Sequence, residues 1–254
     1  MTWVIARANK GRILLRIDDI DKDRCREEYV MDIFQTLEWL GLDYDEGPSG
    51  VADFFQNWSQ ETRLDLYENA LRELQRQDLL FACTCSRKDI RLVSEDGSYP
   101  GTCLQLDLPF EGDQARSWRT REHGHFVLRR KNGRPAYQLV SLIDDEHFGI
   151  NYIVRGADLL GSTEKQRYLA RVMGKTPFLS SSFWHHSLLT DVEGQKLSKS
   201  QGAGSLQEWR MLGRSPAELY QRAADILGIP GNFETIEQLL KAAKALKVLP
   251  VDHR

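Results

Sequence analysis

Arg12-Ile13-Leu14-Leu15-Arg16-Ile17 is an apolar run of strand length that leads directly into Asp18-Asp19-Ile20-Asp21-Lys22-Asp23 and then into a helical pattern. A strand apolar at successive positions needs cover on both faces, which a parallel sheet flanked by helices provides. The carboxylates after it are placed to cap the next helix. That helix carries Tyr29, Ile33, Leu37 and Leu40 along one face, includes Cys25 as an ordinary half-buried residue, and stops at Gly41. A second helix with Leu64, Tyr67, Leu71 and Leu74 comes after a loop containing Gly47-Pro48-Ser49-Gly50. Strand patterns recur at 126–130, 137–143 and 150–154, and a helix is expected over 163–173. Two more helices carry Leu219, Ala223, Ile226 and Leu227, then Ile236, Leu239, Leu240 and Ala243. This alternation predicts an α/β nucleotide-binding core.

The 254 residues are 41 % hydrophobic, enough for a sizeable core. Lys and Arg number 34 against 37 Asp and Glu, so a net charge of −3 gives no global attraction to a polyanion. A nucleic-acid partner therefore requires a local basic face. Arg87, Lys88 and Arg91, with Arg116, Arg119, Arg121, Arg129, Arg130, Lys131 and Arg134, are its candidates, a solvated surface being the plain alternative. No apolar run approaches the ~20 residues of a membrane span, and a soluble, cytoplasmic chain with no membrane partner is expected.

Between positions 81 and 124 the apolar period gives way to Cys, Ser, Gly and Pro, which reads as an inserted, loop-rich module. It holds three of the four cysteines, Cys83, Cys85 and Cys103. In a reducing compartment such a cluster points to a metal before a disulfide. Two thiolates from a tight turn and a third from beyond it suit a closed zinc shell. The residues alone leave the fourth position open to water or a histidine.

Lys196-Leu197-Ser198-Lys199-Ser200 places two lysines three apart in a loop that continues into Gly202-Ala203-Gly204. Such a loop can close on a triphosphate and supply positive charge where a transferring phosphoryl group gains negative charge. The segment closely resembles the KMSKS loop of the class I aminoacyl-tRNA synthetases. Three further segments resemble that family's glutamate branch in the same order. Leu15-Arg16-Ile17-Asp18-Asp19-Ile20-Asp21 is similar to its Leu-Arg-Ile-Glu-Asp-Thr-Asp element, and Glu38 to Pro48 is similar to the next segment of that branch. Val154-Arg155-Gly156-Ala157-Asp158-Leu159-Leu160, with Ser162, Thr163 and Gln166, resembles the approach to the amino-acid site. Within the branch the likeness is nearest to a short paralogue that has the catalytic part and no anticodon-binding domain. The spacing of Cys83, Cys85, Tyr99 and Cys103 resembles that paralogue's zinc ligands.

The resemblance implies a Rossmann-like catalytic core with a loop-rich zinc-binding insertion and a helical C-terminal end. It divides the chain into 1–80 and 126–190 as the two parts of the core, 81–125 as the insertion, and 191–254 as the lysine loop and final helices. It implies ATP-dependent activation of L-glutamate and transfer to a tRNA, tRNA(Asp) at its queuosine base by likeness to the paralogue. Lys199, assisted by Lys196, stabilises the transition state on ATP, and Asp18, Tyr137 and Arg155 hold glutamate. Zinc is structural, magnesium accompanies ATP, and the protein is a monomer. The plain readings of the three glutamate residues are a helix cap, a strand aromatic and a sheet-edge charge. His185 and His186, adjacent on a strand, face opposite ways and are left out of the site.

The likeness departs from the family at the start, where Met1-Thr2-Trp3-Val4-Ile5-Ala6-Arg7 resembles the far end of the helix that comes after the HIGH motif. The first strand and half the ATP cradle are thus expected outside these residues, leaving neighbouring strands short of partners and adenylate formation short of donors. Two rival readings stand beside the first. One is a glutamyl-tRNA synthetase truncated at both ends, and the other is a non-catalytic tRNA-binding or regulatory remnant.

Overall fold

Helical spacing of apolar residues organises most of this chain, and the strands among the described residues fall into two small separate sheets. The structure is a computed structural model describing residues 1–22, 25–94, 96–112, 116–188 and 205–247. In chain order its elements are α1 (Thr2–Ala8), α2 (Glu27–Trp39), the single turn α3 (Val51–Asp53), α4 (Leu64–Arg76), β1 (Leu80–Cys83), α5 (Arg87–Val93), β2 (Ser117–Thr120), β3 (Val127–Arg129) and α6 (Tyr137–His147), then β4 (Tyr152–Gly156), α7 (Leu160–Val172), α8 (Thr176–Leu179), β5 (Ser182–His186), α9 (Leu206–Met211), α10 (Ala217–Leu227) and α11 (Ile236–Ala245). β1, β2 and β3 form an antiparallel sheet, and β4 pairs in parallel with β5 across the α7 and α8 crossover. No helix among the described residues is long and apolar enough to cross a membrane.

The main core lies where α4, α6 and α7 meet both sheets. Tyr67, Leu71 and Leu74 from α4 pack with Leu128, Leu139, Leu142, Leu169, Phe178 and Phe183. Each side chain of this size contributes ~1.5–3 kcal/mol on burial. A second cluster ties the two ends of the described chain together, with Val4 of α1 against Tyr220, Ala224, Leu239 and Ala243 of α10 and α11.

Several expectations are corrected. Residues 137–143 form the start of helix α6 and not a strand. Leu139, Val140, Leu142 and Ile143 are all buried, and a helix enclosed on most sides shows the same short apolar run as a covered strand. Residues 12–17 form no regular strand. Leu14 makes an isolated parallel bridge with Glu46, and Leu15 N donates to the Glu46 carbonyl at 2.8 Å. Gly47, at φ 132°, permits that approach, because a Cβ there would stand 2.7 Å from the Leu15 carbonyl oxygen. The far side of this segment and residues 150–154 line a cavity of about 850 Å³ with Ile5 and Ala6 of α1.

The carboxylates after residue 17 do not cap α2, whose N-cap is Arg26 with no side-chain bond. Cys25 precedes that helix, and Tyr29 is 54 % exposed while Val30 takes the buried position. The inserted module is less irregular than its composition suggests. It contains α5, closed at its start by a reciprocal Ser86 and Asp89 capping box, and its second strand β2.

Candidate functional site

Asp18 and Asp19 end the extended segment beside the start of α4, and buried polar groups there decide where they point. Asp18 accepts from Arg16 Nε at 2.8 Å and from Gln60 Nε2 at 3.1 Å. Arg16 Nη1 also donates to Asp145 of α6 at 2.5 Å. Asp19 accepts from Ser59 Oγ at 2.5 Å and from the Gln60 backbone at 2.7 Å, so it fixes the turn before α4. Fully buried Asp144 accepts from Tyr67 at 2.6 Å, Gln60 at 2.9 Å and Arg63 Nε at 3.0 Å. Gln60 thus joins Asp18, Asp19 and Asp144. Burial raises the pKa of Asp19 and, against the pull of Arg16, that of Asp145. Burial opposes the charge on Arg16, yet Asp18, Asp145 and Asp144 outweigh it and keep the guanidinium protonated.

Arg155 stands on β4 opposite His185 and is 9 % exposed. Its Nη1 donates to Gln166 Oε1 at 2.8 Å, and its guanidinium lies 5.3 Å from the Phe183 ring centre. Nε and Nη2 are buried and make no close hydrogen bond among the described residues, the Tyr137 hydroxyl being their neighbour. Burial lowers its pKa, with Tyr137 and Asp145 acting in opposition. Half-buried Tyr137 opens α6. Asp145 is within electrostatic reach of Arg16, Arg155 and Asp18. The three residues expected to hold glutamate therefore border one ionic network, and the cap and strand readings of Asp18 and Tyr137 do not hold. His185 Nε2 lies 2.8 Å from Thr163 Oγ1. Lys196 and Lys199 lie outside the described residues.

Gln60, Arg63, Asp144 and Asp145 belong to no motif singled out in the sequence. Gln60 and Arg63 lie in the polar run Ser59-Gln60-Glu61-Thr62-Arg63, which carries no sign of burial, and the one signal for Asp144 and Asp145 is that they directly continue the apolar run ending at Ile143.

The second cluster is the cysteine module. Cys83 closes β1, Cys85 stands two residues further on, and the loop after α5 returns Tyr99 and Cys103. The three sulfurs lie within 4.8 Å of one another. Tyr99 Oη is 3.3 Å from Cys83 Sγ and 3.9 Å from Cys85 Sγ, while Cys103 N donates to it at 2.8 Å. Burial, the bond to Cys103 and the charge of Cys83 push the Cys85 thiol up to about 11. Cys103 goes the other way, to about 7, because hydrogen bonds from Tyr99, the Thr84 backbone and the other thiols outweigh burial. Three convergent sulfurs and one phenol oxygen match the donor number and softness of a closed zinc site.

The expected basic face is mostly consumed internally. Arg116 donates to the carbonyls of Pro109 and Glu111, Arg121 pairs with Asp78, Arg130 with Asp21, and Arg134 with Glu61. Arg129 pairs with Glu111 and stacks on Trp118, while Arg119 is buried. Arg87, Lys88 and Arg91 of α5 are exposed, as is Lys131, whose Nζ bonds the Thr84 carbonyl.

The parallel pair with its helical crossover and the ordered ionic site agree with a match of residues 1–101 and 115–242 to the catalytic domain of class I tRNA synthetases (E and Q). The chain belongs to this family of ligases and has its mixed α/β catalytic fold. Among individual proteins, it is 34 % identical to the glutamyl-Q tRNA(Asp) synthetase of Deinococcus radiodurans, over 97 % of this chain and 88 % of that protein. It is 35 % identical to the glutamyl-Q tRNA(Asp) synthetase of Cupriavidus metallidurans, over 95 % and 82 %. A glutamate–tRNA ligase of a Synechococcus strain is 31 % identical, but the match covers 55 % of its length. The crystal structure of glutamate-tRNA synthetase from Elizabethkingia anophelis superposes with a TM-score of 0.62 at 23 % identity, over 79 % of this chain and 48 % of that one.

Proposed function

We propose that this protein activates glutamate with ATP and transfers it from glutamyl-adenylate to a tRNA, the queuosine base of tRNA(Asp) being the acceptor. The observation that carries the reading is Arg155, a buried guanidinium whose Nε and Nη2 make no close hydrogen bond among the described residues, with the Tyr137 hydroxyl as their neighbour. A ligand carboxylate would satisfy them in the bidentate manner that guanidinium favours, which selects glutamate over glutamine. Tyr137 adds a hydroxyl on a rigid ring, and Asp18, held by Arg16 and Gln60, receives the α-ammonium. The α-carboxylate then attacks the α-phosphorus of ATP and pyrophosphate leaves. Lys199, assisted by Lys196, offsets the charge that develops on the phosphoryl oxygens, with magnesium accompanying the triphosphate. A tRNA hydroxyl next attacks the activated carbonyl and AMP leaves.

Cys83, Cys85, Tyr99 and Cys103 would hold a zinc ion. Bound there, it supplies no reacting water, since four protein ligands close the shell, and it serves to fix the inserted module against β1. Residues 1–80 and 126–190 are read as the two parts of the catalytic core, 81–125 as the insertion and 191–254 as the lysine loop with the final helices. The relatives' names support glutamate as the amino acid and tRNA(Asp) as the acceptor.

The test is glutamate-dependent exchange of pyrophosphate into ATP, with and without tRNA, and then acylation of tRNA(Asp) and tRNA(Glu). Exchange without tRNA is expected, falling ~100 to 1,000-fold in Lys199→Ala, with glutamate transferred to tRNA(Asp). Charging of tRNA(Glu) instead would replace the acceptor, and absence of exchange from folded protein would overturn the reading.

A further inference from the structure

Arg119 is the one arginine of the inserted sheet whose position its sequence neighbours do not explain. It is 8 % exposed, and among the described residues no carboxylate pairs with it. Its Nη1 donates to the His125 carbonyl at 2.9 Å, and its Nε is buried with no partner among the described residues. A buried cation in that state is costly unless a negative charge stands nearby. Its guanidinium carbon lies 4.1 Å from the centre of the Tyr99 ring.

Strand register explains how it arrives there. Arg119 on β2 is paired with Phe81 on β1, two residues before Cys83, so Phe81, Cys83 and Arg119 share one face of the sheet. Phe81 packs on Tyr99 at 6.0 Å between ring centres. The ring therefore contacts Phe81, His125 and a buried guanidinium, with its oxygen turned toward the sulfurs. Lys131 also reaches this cluster, through its bond to the carbonyl of Thr84 between the two cysteines.

We infer that Arg119 is the counter-cation and positioning residue of the metal centre, acting through Tyr99. A divalent ion with three thiolates and one phenolate retains two negative charges, and a closed, largely buried shell needs cations near it. Arg119 supplies one against the face of the phenolate ring, where a desolvated cation–π contact is strong. Lys131 supplies a second at the Cys83-Thr84-Cys85 turn. Arg119 is thus not part of an RNA-facing surface. It braces the ring of a ligand whose oxygen Cys103 N and Cys83 Sγ hold at the other end, as second-layer groups do for metal-bound histidines.

This inference rests on reading the cysteine cluster as a zinc centre, and the experiment separates the two. Zinc content and zinc affinity, the latter by competition with a chromophoric chelator, are measured on the full chain for wild type, Arg119→Met, Tyr99→Phe and the double variant. The visible spectrum of the cobalt-substituted forms reports phenolate coordination directly. Arg119→Met is expected to weaken zinc binding ~10 to 100-fold, the usual effect of losing a supporting group, and to diminish the phenolate-to-cobalt band. In the Tyr99→Phe background the same change should cost less than about threefold, because the residue through which it acts is gone. Arg119→Lys, which keeps charge and loses the planar stack, should fall between, and it takes the place of Arg119→Met in both backgrounds if the methionine variant does not fold. Equal losses in both backgrounds, or no loss in either, would overturn the role of Arg119. Wild-type protein that binds no zinc would instead overturn the metal reading itself.

Discussion

The network around Asp144 and the cysteine module both bury polar groups, yet they satisfy them differently. In the network opposite charges meet: Arg63 and Tyr67 converge on Asp144, and Arg16 bridges Asp18 and Asp145. In the module the groups that meet are alike, three thiols whose sulfurs lie within 4.8 Å of one another and a phenol against two of them, while the nearest buried cation faces an aromatic ring. The apolar support differs in the same sense. The network sits in the large cluster of α4, α6 and α7, whereas the module has Phe81 and Ile90 with its own ligands. The Asp144 centre of the first region is satisfied within the polypeptide, with Arg155 at its border left for a ligand, and the second region has the composition of a site completed by an ion.

Metal removal should expose that contrast most strongly. Structural zinc of this type supplies roughly 10–16 kcal/mol of apparent binding free energy. Chelation, or Cys103→Ala, is expected to open the loop that carries Tyr99 and Cys103 to protease while α4 and α6 keep their amide protection. Hydrogen exchange read by mass spectrometry decides it, and equal loss of protection in both regions would show that the module is not separately stabilised. Breaking the network is expected to cost less but to act globally. Asp144→Ala leaves Arg63 buried without its anion, a change worth about 3–5 kcal/mol, and should lower the midpoint of cooperative unfolding without releasing metal. Zinc loss from that variant before global unfolding would contradict the independence of the two regions. Within the network, Arg155→Met should raise the KM for glutamate by at least ~10-fold through the lost charged hydrogen bonds, with little change in the unfolding midpoint.

Legibility in the sequence divides along the same line. Local periodicity located α4, α7, α10 and α11, since each buries one stripe against a single core. It failed at α6, where Leu139 to Ile143 are buried on most sides and the run carries no distinguishing period. The resemblance grouped Asp18, Tyr137 and Arg155, which border one network, and it grouped Cys83, Cys85, Tyr99 and Cys103, whose donor atoms lie together. Pairing across the fold is what pattern could not show. Arg119, Arg121, Arg130 and Arg134 look alike as basic residues, and only strand register and distant carboxylates separate a ring-stacked cation from an ion-paired one. Gln60 is likewise invisible until the turn before α4 brings it against three acidic side chains.

The smallest expected effect concerns a third, exposed polar cluster that marks the difference between surface and buried carboxylates. Arg7 of α1 donates to Asp43 at 3.1 Å and to Asp45 at 2.6 Å, linking the first helix to the segment that bridges Leu14. The Arg7 bond and the Ile13 backbone N–H hold the Asp45 carboxyl below its ordinary 3.8. Slight burial opposes the same shift at Asp43, but bonds from Trp3 and Arg7 prevail. A carboxyl lowered in the folded state stabilises above its unfolded value and loses that contribution as pH falls through the folded one. Asp19 and Asp145, raised by burial, have the opposite sign: their cost is relieved on acidification through the interval between their raised values and the ordinary one. Asp45→Asn should therefore flatten the decline of the urea midpoint below pH 3.8, whereas Asp19→Asn should raise the midpoint at neutral pH relative to acid, less the hydrogen bonds it weakens. Both effects are modest, because exposed ion pairs contribute little and are screened by salt. A steeper acid decline in Asp45→Asn than in wild type would show that the clasp at Arg7 does not act through charge.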